Sequence, residues 1–292
     1  MKRHPGFLAF LTLLLVVIGS VCLSGCEPSS QKPDTPQVQK SKAMDAGMNM
    51  DKSGAVGFMM VGDSSGLKAG GNSSLKFKLT DVASGATLTK FETTHGKLLH
   101  FMVVDESLVD FQHLHPLMAN DGTWTQNVTF PSGGRYLLFA DGKVGTSGFV
   151  ARQEVKVAGA PRTGTMDFAI SKTRKVGEIS ATIVDPSDFS TGGESMVRLK
   201  LSRPDGWQPY LEAPGHLILI RKEGDEFIHA HPAQDMKDGV VEFMANFKKH
   251  GVYRAWAQFQ REDKVLTFPF TVEVSGKDTP NMGSMNMDHP GH

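Results

Sequence analysis

An internal duplication occupies most of this chain. The segment HFMVV at residues 100–104 recurs as HLILI at 216–220, and DFQHLHP at 110–116 recurs as EFIHAHP at 226–232. Each copy spans roughly 100 residues and holds about seven short segments in which apolar and polar residues alternate, as they do in half-buried strands. No segment shows a sustained helical period. The sequence therefore predicts an all-β chain of two tandem immunoglobulin-like β-sandwiches.

Composition outside the repeats predicts the remaining domain plan. The flanking segments are rich in Ser, Pro, Gln, Gly and Asn and hold too few large apolar residues to form a core. We expect a signal peptide at residues 1–25, a flexible tether at 26–55, sandwiches at 56–160 and 161–275, and a disordered Met/His-rich tail at 276–292.

The N-terminus has the parts of an export signal. Lys2 and Arg3 precede an apolar run at residues 7–21, which is shorter than the ~20 residues of a membrane-spanning helix. LSGC at residues 23–26 resembles the lipobox of bacterial lipoproteins, and this resemblance implies cleavage before Cys26 and lipidation of its thiol. We therefore expect an extracytoplasmic protein, in the periplasm or its equivalent, anchored to a bacterial membrane through Cys26. The alternative is an uncleaved anchor helix.

Charge and cysteine content exclude several classes of function. The chain has 31 Lys and Arg against 31 Asp and Glu, so no basic footprint supports nucleic-acid binding. Of the 2 Cys, Cys22 would leave with the signal and Cys26 would carry lipid. The mature protein then has no free thiol, which excludes a Cys nucleophile, a disulfide and a blue-copper site.

Three histidines in each repeat are candidate metal ligands. They recur at the same spacing, as His100, His113 and His115 in the first repeat and as His216, His229 and His231 in the second. Side chains two residues apart share one face of a strand, and a hairpin brings the third imidazole opposite them. Each repeat therefore predicts a site of three imidazoles, a ligand set that suits copper, zinc or nickel. The alternative is that the duplication copied packed or surface histidines.

The hairpin register makes this prediction more specific. A two-residue turn at Glu223-Gly224 would set His216 opposite His231. The same register in the first repeat sets Met102 opposite His113, so Met102 is a further candidate ligand.

Four other residues qualify the prediction. Proline cannot donate to a sheet ladder, so Pro116 and Pro232 predict that each His-x-His pair lies at a strand end or on an edge. His95 and His250 have no counterpart in the other repeat, and we interpret both as surface or hydrogen-bonded histidines rather than ligands.

Methionines are concentrated in the two segments outside the repeats. A core-filling role is not open to Met there, but closely spaced thioethers can wrap a soft ion such as Cu(I). The candidate soft-metal ligands are Met44, Met48, Met50, Met282, Met285, Met287, His289 and His292. The alternative is chance composition in a low-complexity linker.

The motif D-F-x-H-x-H-P after an apolar strand resembles the YtkA-like and FixH-like domain proteins of bacteria. The resemblance covers both repeats and is most specific around each His-x-His-Pro. It implies small extracytoplasmic immunoglobulin-like sandwiches associated with copper handling or oxidase assembly. This chain departs from the pattern in being a tandem pair on a lipoprotein tether, with Glu226 where the first copy has Asp110.

Three functions are therefore open. The leading hypothesis is a lipid-anchored, copper-binding chaperone, buffer or resistance protein, with zinc as the second ion and a copper transporter or oxidase-assembly protein as partner. The second is an envelope adhesion or assembly module without a metal. The third is a three-His metal hydrolase, in which Asp110 or Glu226 would lie beside the site. The first two predict that the chain is not an enzyme.

Overall fold

The computed structural model describes residues 55–62, 64–164, 167–185 and 189–279. The predicted signal peptide, Cys26 and the Met-containing segments with His289 and His292 lie outside these residues. All the described residues belong to one compact unit. Within them, the one helical element is the 3-10 turn Ser64–Gly66, and no helix is long and apolar enough to cross a membrane.

The first repeat folds into a sandwich of two four-stranded antiparallel sheets. One sheet has the order β1-β2-β6-β5 and the other β4-β3-β7-β8. The strands are β1 Val56–Met60, β2 Asn72–Asp81, β3 Leu99–Asp105, β4 Phe111–Leu114, β5 Leu117–Met118, β6 Thr123–Thr129, β7 Gly134–Val144 and β8 Ser147–Val157.

The second repeat has the same arrangement, with one strand shared between its two layers. The strands are β9 Thr173–Val176, β10 Ile179–Asp185, β11 Phe189–Ser190, β12 Glu194–Leu201, β13 Trp207–Gln208, β14 His216–Arg221, β15 Phe227–Pro232, β16 Val240–Asn246, β17 Gly251–Arg261 and β18 Lys264–Ser275. They run in the order β11-β18-β17-β14-β15-β16-β12-β10-β9, and β13 pairs with β17. The predicted all-β fold of two tandem immunoglobulin-like sandwiches is confirmed.

Strand β3 shows how the two sandwiches pack. Every residue of β3 is buried, although alternation would leave one face of a two-sheet sandwich in water. Phe101 and Val103 enter the core of the first sandwich, whereas Met102 and Val104 enter a separate apolar cluster. Since β3 is buried on both faces, its outer face must be covered by the second sandwich.

That separate cluster, the interdomain core, contains side chains from both repeats. Its buried members are Met102, Val104, Leu108, Leu137, Phe139, Ile218, Ile220, Phe227 and Trp256. Phe111 of β4 stacks on Trp256 of β17 with ring centroids 4.4 Å apart. Phe139 of β7 stacks on Phe227 of β15 at 4.9 Å. In the two repeats β7 corresponds to β17 and β4 to β15. Each ring pair therefore joins the same two strand positions with the repeats interchanged, so the sandwiches are related by an approximate two-fold axis.

The predicted hairpin register is present, but the turn is longer than expected. Met102 pairs with His113 in the first repeat, and Ile218 pairs with His229 in the second. Two residues further along the second ladder, the same register sets His216 opposite His231. The Arg221 amide donates to the Glu226 carbonyl, so four residues connect the strands instead of the predicted two. A four-residue loop centred on the same point leaves the register unchanged.

Each His-x-His segment lies where the chain passes from one sheet to the other. In the first sandwich β4 pairs with β3, and after Pro116 the chain enters β5 in the opposite sheet. In the second, β15 pairs with β14 up to Ala230 and with β16 from His231 onward. The prolines therefore mark strand ends, as predicted, and they also mark the crossings between sheets, which the sequence did not predict.

Candidate metal centre

The first three histidines lie at the end of the β3–β4 hairpin and are called the first triad. His100 lies in β3, His113 in β4 and His115 directly after β4. Nδ1 of His100 is 3.0 Å from Nε2 of His113. One ring nitrogen from each of the three residues lies within 4.8 Å of the others.

The second triad repeats this geometry on β14 and β15. Nδ1 of His216 is 3.0 Å from Nε2 of His229, and ring nitrogens of His216, His229 and His231 again lie within 4.8 Å of one another. His216 is fully buried. The structure therefore brings together, within each repeat, the three histidines that the sequence predicted.

The hydrogen bonds of the first triad fix where its protons are. Nε2 of His100 is 3.0 Å from the Thr94 carbonyl, which only accepts, so this nitrogen carries the proton. Nδ1 of His113 faces Oε1 of Gln258 at 2.7 Å and donates to it, while the amide nitrogen of Gln258 donates to Thr267. In neutral rings, Nδ1 of His100 and Nε2 of His113 are then unprotonated. With the Gln258 amide in this orientation, two lone pairs face each other at 3.0 Å.

The second triad has the same pattern when Asp141 is ionised. Nε2 of His216 donates to the Tyr210 carbonyl at 3.0 Å, and Nδ1 of His229 lies 2.7 Å from Oδ2 of Asp141. Burial raises the pKa of Asp141 to about 8. Protonated Asp141 would donate to His229 instead, whose Nε2 proton could then bond His216. The second triad thus has two proton arrangements.

One further nitrogen in each triad lacks a partner. Nε2 of His115 and Nε2 of His231 are buried and make no hydrogen bond within the described part of the chain. A buried, unpaired polar atom costs about 1–3 kcal/mol. Imidazole nitrogens bound to one ion at about 2.0 Å lie roughly 3.0–3.3 Å apart at tetrahedral-like angles. The two facing nitrogens of each triad already have that separation, and a nitrogen of the third histidine lies within 4.8 Å of the others. Each triad therefore offers the donor set for three-imidazole coordination of a metal ion.

The two triads adjoin each other across the domain interface. The His100 ring centroid is 5.0 Å from that of His229. His113 lies 5.7 Å from His216 and 5.6 Å from His229. Within the first triad the separations are 4.9–5.2 Å, so the six rings form one cluster. The sequence predicted one site per repeat and did not predict this convergence.

Two supporting residues were also missed from the sequence. Asp141 is opposite His100 in the β3–β7 ladder, and Gln258 is opposite His216 in the β14–β17 ladder. Each is therefore the other's equivalent, yet each bonds a histidine of the other sandwich. Both are buried polar residues flanked on either side by apolar or small residues, and this pattern was the available signal.

Burial and mutual repulsion keep the imidazoles neutral. Burial, the largest cause, lowers the pKa of His100 to about 2 and that of His113 to about 4. It also lowers the pKa of His115 and of His231 to about 3, with help from neighbouring rings. The pKa of His216 and that of His229 lie well below the usual value for the same reasons. Neutral imidazole is the form that binds metal.

His95 joins the cluster, although the sequence indicated a surface or hydrogen-bonded histidine away from the ligands. Its ring stacks on His231 with centroids 4.2 Å apart and lies 5.5 Å from His216. It is half-buried and adopts a positive φ of 49° in the turn before β3. His250 is exposed and bonds Asp278 at 2.6 Å, which fits the interpretation of a hydrogen-bonded surface residue.

The other candidate residues have structural partners. The side chain of Met102 is fully buried in the interdomain core. Asp110 accepts from the Tyr136 hydroxyl at 3.3 Å and pairs with Arg162. Glu226 accepts from the Tyr253 hydroxyl and from two backbone amides. Both carboxylates are thus occupied in holding the chain, which weakens the hydrolase hypothesis.

Comparisons with known proteins identify a family but no function. A family model described as "Domain of unknown function (DUF8832)" matches residues 54–159 and 174–276. It is not the YtkA-like or FixH-like family, so that resemblance stays a prediction. No curated protein matches the chain.

Solved structures with a similar fold are distant. The native conformation of E. coli alpha-2-macroglobulin is 8% identical with a TM-score of 0.26, over 75% of this chain and 16% of that one. Invasin, a bacterial integrin-binding protein, is 12% identical with a TM-score of 0.23, over 75% of this chain and 39% of its own. Chicken CNTN1 FN1–FN3 domains are 5% identical with a TM-score of 0.23, over 77% and 66%. The chain thus spans less than two thirds of each, and these similarities carry no argument about function.

Proposed function

Because this chain belongs to the DUF8832 family, a domain of unknown function that it carries twice, we propose its function from the site: it is an extracytoplasmic copper-binding protein. It would act as a copper chaperone, buffer or resistance protein. Copper is held by the six histidines of the two triads, and zinc is the alternative ion.

One observation carries the proposal. Each triad presents three ring nitrogens, one from each histidine, that lie within 4.8 Å of one another, and in each triad one histidine has a buried ring nitrogen with no hydrogen-bond partner among the described residues. The outer nitrogens of His100 and His216 donate to backbone carbonyls, which turns their other nitrogens toward the triad. This leaves two lone pairs facing each other in the first triad, and in the second triad when Asp141 is ionised. A packed core histidine has no reason to adopt that arrangement, whereas a metal ion requires it.

The charge of the cluster favours copper in its monovalent state. Asp141 is the one acidic side chain hydrogen-bonded to the six rings within the described residues. Glu212 and Lys97, of opposite charge, act on His95 and His115 at the rim. Buried ions need compensating charge, and a site this poor in anions holds Cu(I) at a lower cost than a divalent ion.

The sequence outside the described residues supports the cellular setting. The lipobox at residues 23–26 favours export and a membrane anchor through Cys26. The thioethers of the flanking Met-rich segments suit Cu(I), the same ion that the charge argument favours. A copper transporter or an oxidase-assembly protein is the kind of partner that would exchange ions with such a site.

Copper retention tests the proposal. We expect the full-length protein, purified from membranes and loaded with Cu(I) or Cu(II), to retain copper after desalting. The double variant His113→Gln, His115→Gln should lose at least half of the retained copper. The control His250→Gln, which changes an exposed histidine, should retain as much as the wild type. Retention that is equal in all three proteins would contradict the proposal and favour an adhesion or assembly module.

A further inference from the structure

We infer that the two triads form a single two-ion centre, which the protein completes only when its two sandwiches are docked. This inference rests on the proposed function, because it concerns the same histidines. It adds the number of ions, their proximity and the coupling of metal binding to the domain interface.

The spacing of the rings indicates one centre. Rings of different triads are as close, 5.0–6.0 Å, as rings within the second triad, 4.6–6.3 Å. Two ions held by the triads would therefore be neighbours in one buried space. No apolar layer separates the two triads, because His100 and His113 lie directly against His229.

The direction of the nitrogens indicates two ions and not one. The close nitrogen pairs, at 3.0 Å, join His100 to His113 and His216 to His229. Both pairs lie within a triad. A single shared ion would also bring nitrogens of different triads to this distance, and no ring nitrogens of different triads make such a contact among the described residues.

The hydrogen bonds across the interface indicate that neither triad is complete alone. Gln258 of the second sandwich orients His113 of the first, and Asp141 of the first orients His229 of the second. A hydrogen bond to the outer nitrogen fixes the tautomer and ring orientation of a metal-binding histidine. Gln258 and Asp141 are therefore positioning residues that act on the opposite triad.

The interdomain core ties the same residues to docking. Phe111 is two residues before His113, and its ring stacks on Trp256, two residues before Gln258. The other stack joins Phe139 to Phe227, which precede Asp141 and His229 by the same interval. The same strands therefore carry the aromatic stacks between the sandwiches and the hydrogen bonds that orient His113 and His229. Because an ion binds the triads in the docked arrangement of the sandwiches, it stabilises that arrangement.

Electron paramagnetic resonance of the Cu(II)-loaded full-length protein tests the inference. Cu(II) is the probe because imidazole coupling in its spectrum separates the histidines from the thioether segments. We expect two histidine-bound ions per chain with a spin-coupled spectrum and a half-field signal. Two double variants each remove one triad: His113→Gln with His115→Gln, and His229→Gln with His231→Gln. Each double variant should bind one ion with an uncoupled spectrum.

Several results would overturn the inference. If the wild type binds two ions and its spectrum equals the sum of the spectra of the two double variants, the sites are independent. That result would leave the proposed function intact. One histidine-bound ion per chain, counted with Cu(I) where Cu(II) does not bind, would also refute the two-ion centre. If the wild type retains neither Cu(I) nor Cu(II), the proposed function fails as well.

A second variant tests the cross-interface positioning without removing a ligand. Gln258→Leu in the His229→Gln, His231→Gln background leaves only the first triad. We expect its Cu(II) affinity to fall about 10- to 100-fold, as when an outer partner of a ligating histidine is lost. Gln260→Leu, two residues further along β17, is the control and should not change the affinity. Equal affinities for all three proteins would overturn the positioning role.

Discussion

The carboxylate of Asp141 in the first sandwich lies 2.7 Å from Nδ1 of His229 in the second. Its counterpart Gln258 makes the same contact with His113, also at 2.7 Å. The two triads therefore differ in one feature that the duplication did not preserve: a carboxylate supports one, and an amide supports the other. A carboxylate makes the ligating imidazole more basic, so the second triad should hold an ion more tightly at a pH above the Asp141 pKa of about 8.

Replacement of Asp141 should remove this difference. In Asp141→Gln, both triads have an amide partner, and we expect the Cu(II) affinity of the second triad to fall about 10- to 100-fold. Competition with a chelator of known affinity, in the His113→Gln, His115→Gln background and at a pH above the Asp141 pKa of about 8, measures the second triad alone. An unchanged affinity would show that the carboxylate does not tune the site.

Metal removal should lower the thermal stability of the whole described unit. A ligand at about 1,000 times its Kd stabilises the folded state by about 4 kcal/mol, and about 1 kcal/mol corresponds to roughly 2–4 °C at this size. For each bound ion we therefore expect chelation to lower Tm by roughly 8–16 °C in calorimetry. The control is the protein with both triads changed to Gln, whose Tm should not respond to copper or chelator.

The metal-free protein should lose stability as the pH falls below neutral. The folded-state pKa values of His113, His115 and His231 are lowered to about 4, about 3 and about 3 from 6.5. A lowered histidine pKa gives stability that is present above the unfolded value of 6.5 and is lost as the pH falls toward the folded value. Each of these histidines lowers the free energy of unfolding by about 1.4 kcal/mol per pH unit in that window. Asp141, whose pKa is raised to about 8, acts in the opposite direction and offsets one of them.

Urea unfolding of the chelated protein checks this pH dependence. The midpoint should drop between pH 7 and pH 5.5 in the wild type. The drop should be smaller in His113→Gln, His115→Gln, because two of the titrating groups are gone. A wild-type midpoint that does not move over this range would mean that the imidazoles are not buried in the neutral form.

The sequence predicted the parts of the centre, but not their assembly. Strand alternation and the turn position fixed the hairpin register, so Met102 lies opposite His113 as expected. The convergence of His100 with His229 depends on how the sandwiches pack, and no local pattern encodes that. The cause lies in β3, where Met102 and Val104 are apolar on the face that a lone sandwich would expose to water.

His95 shows a second limit of reasoning from local pattern. It has no equivalent in the second repeat, where Leu211 occupies the same turn with a similar φ of 52°. Its place beside His231 follows from the positive-φ turn and from the docking of the other sandwich. Spacing within the repeat could not show either.

His95 should control the exchange of ions with the solvent. It is half-buried at the rim and stacks on His231, whose Nε2 has no hydrogen-bond partner among the described residues. His95→Asn keeps a residue that tolerates the positive φ, and so preserves the turn whose Thr94 carbonyl accepts from His100. We expect the number of bound Cu(II) ions to stay unchanged while their transfer to a chelator becomes faster. Stopped-flow transfer kinetics, with His250→Asn as the control, measure this effect. Equal transfer rates in wild type and His95→Asn would exclude His95 as the residue that covers the centre.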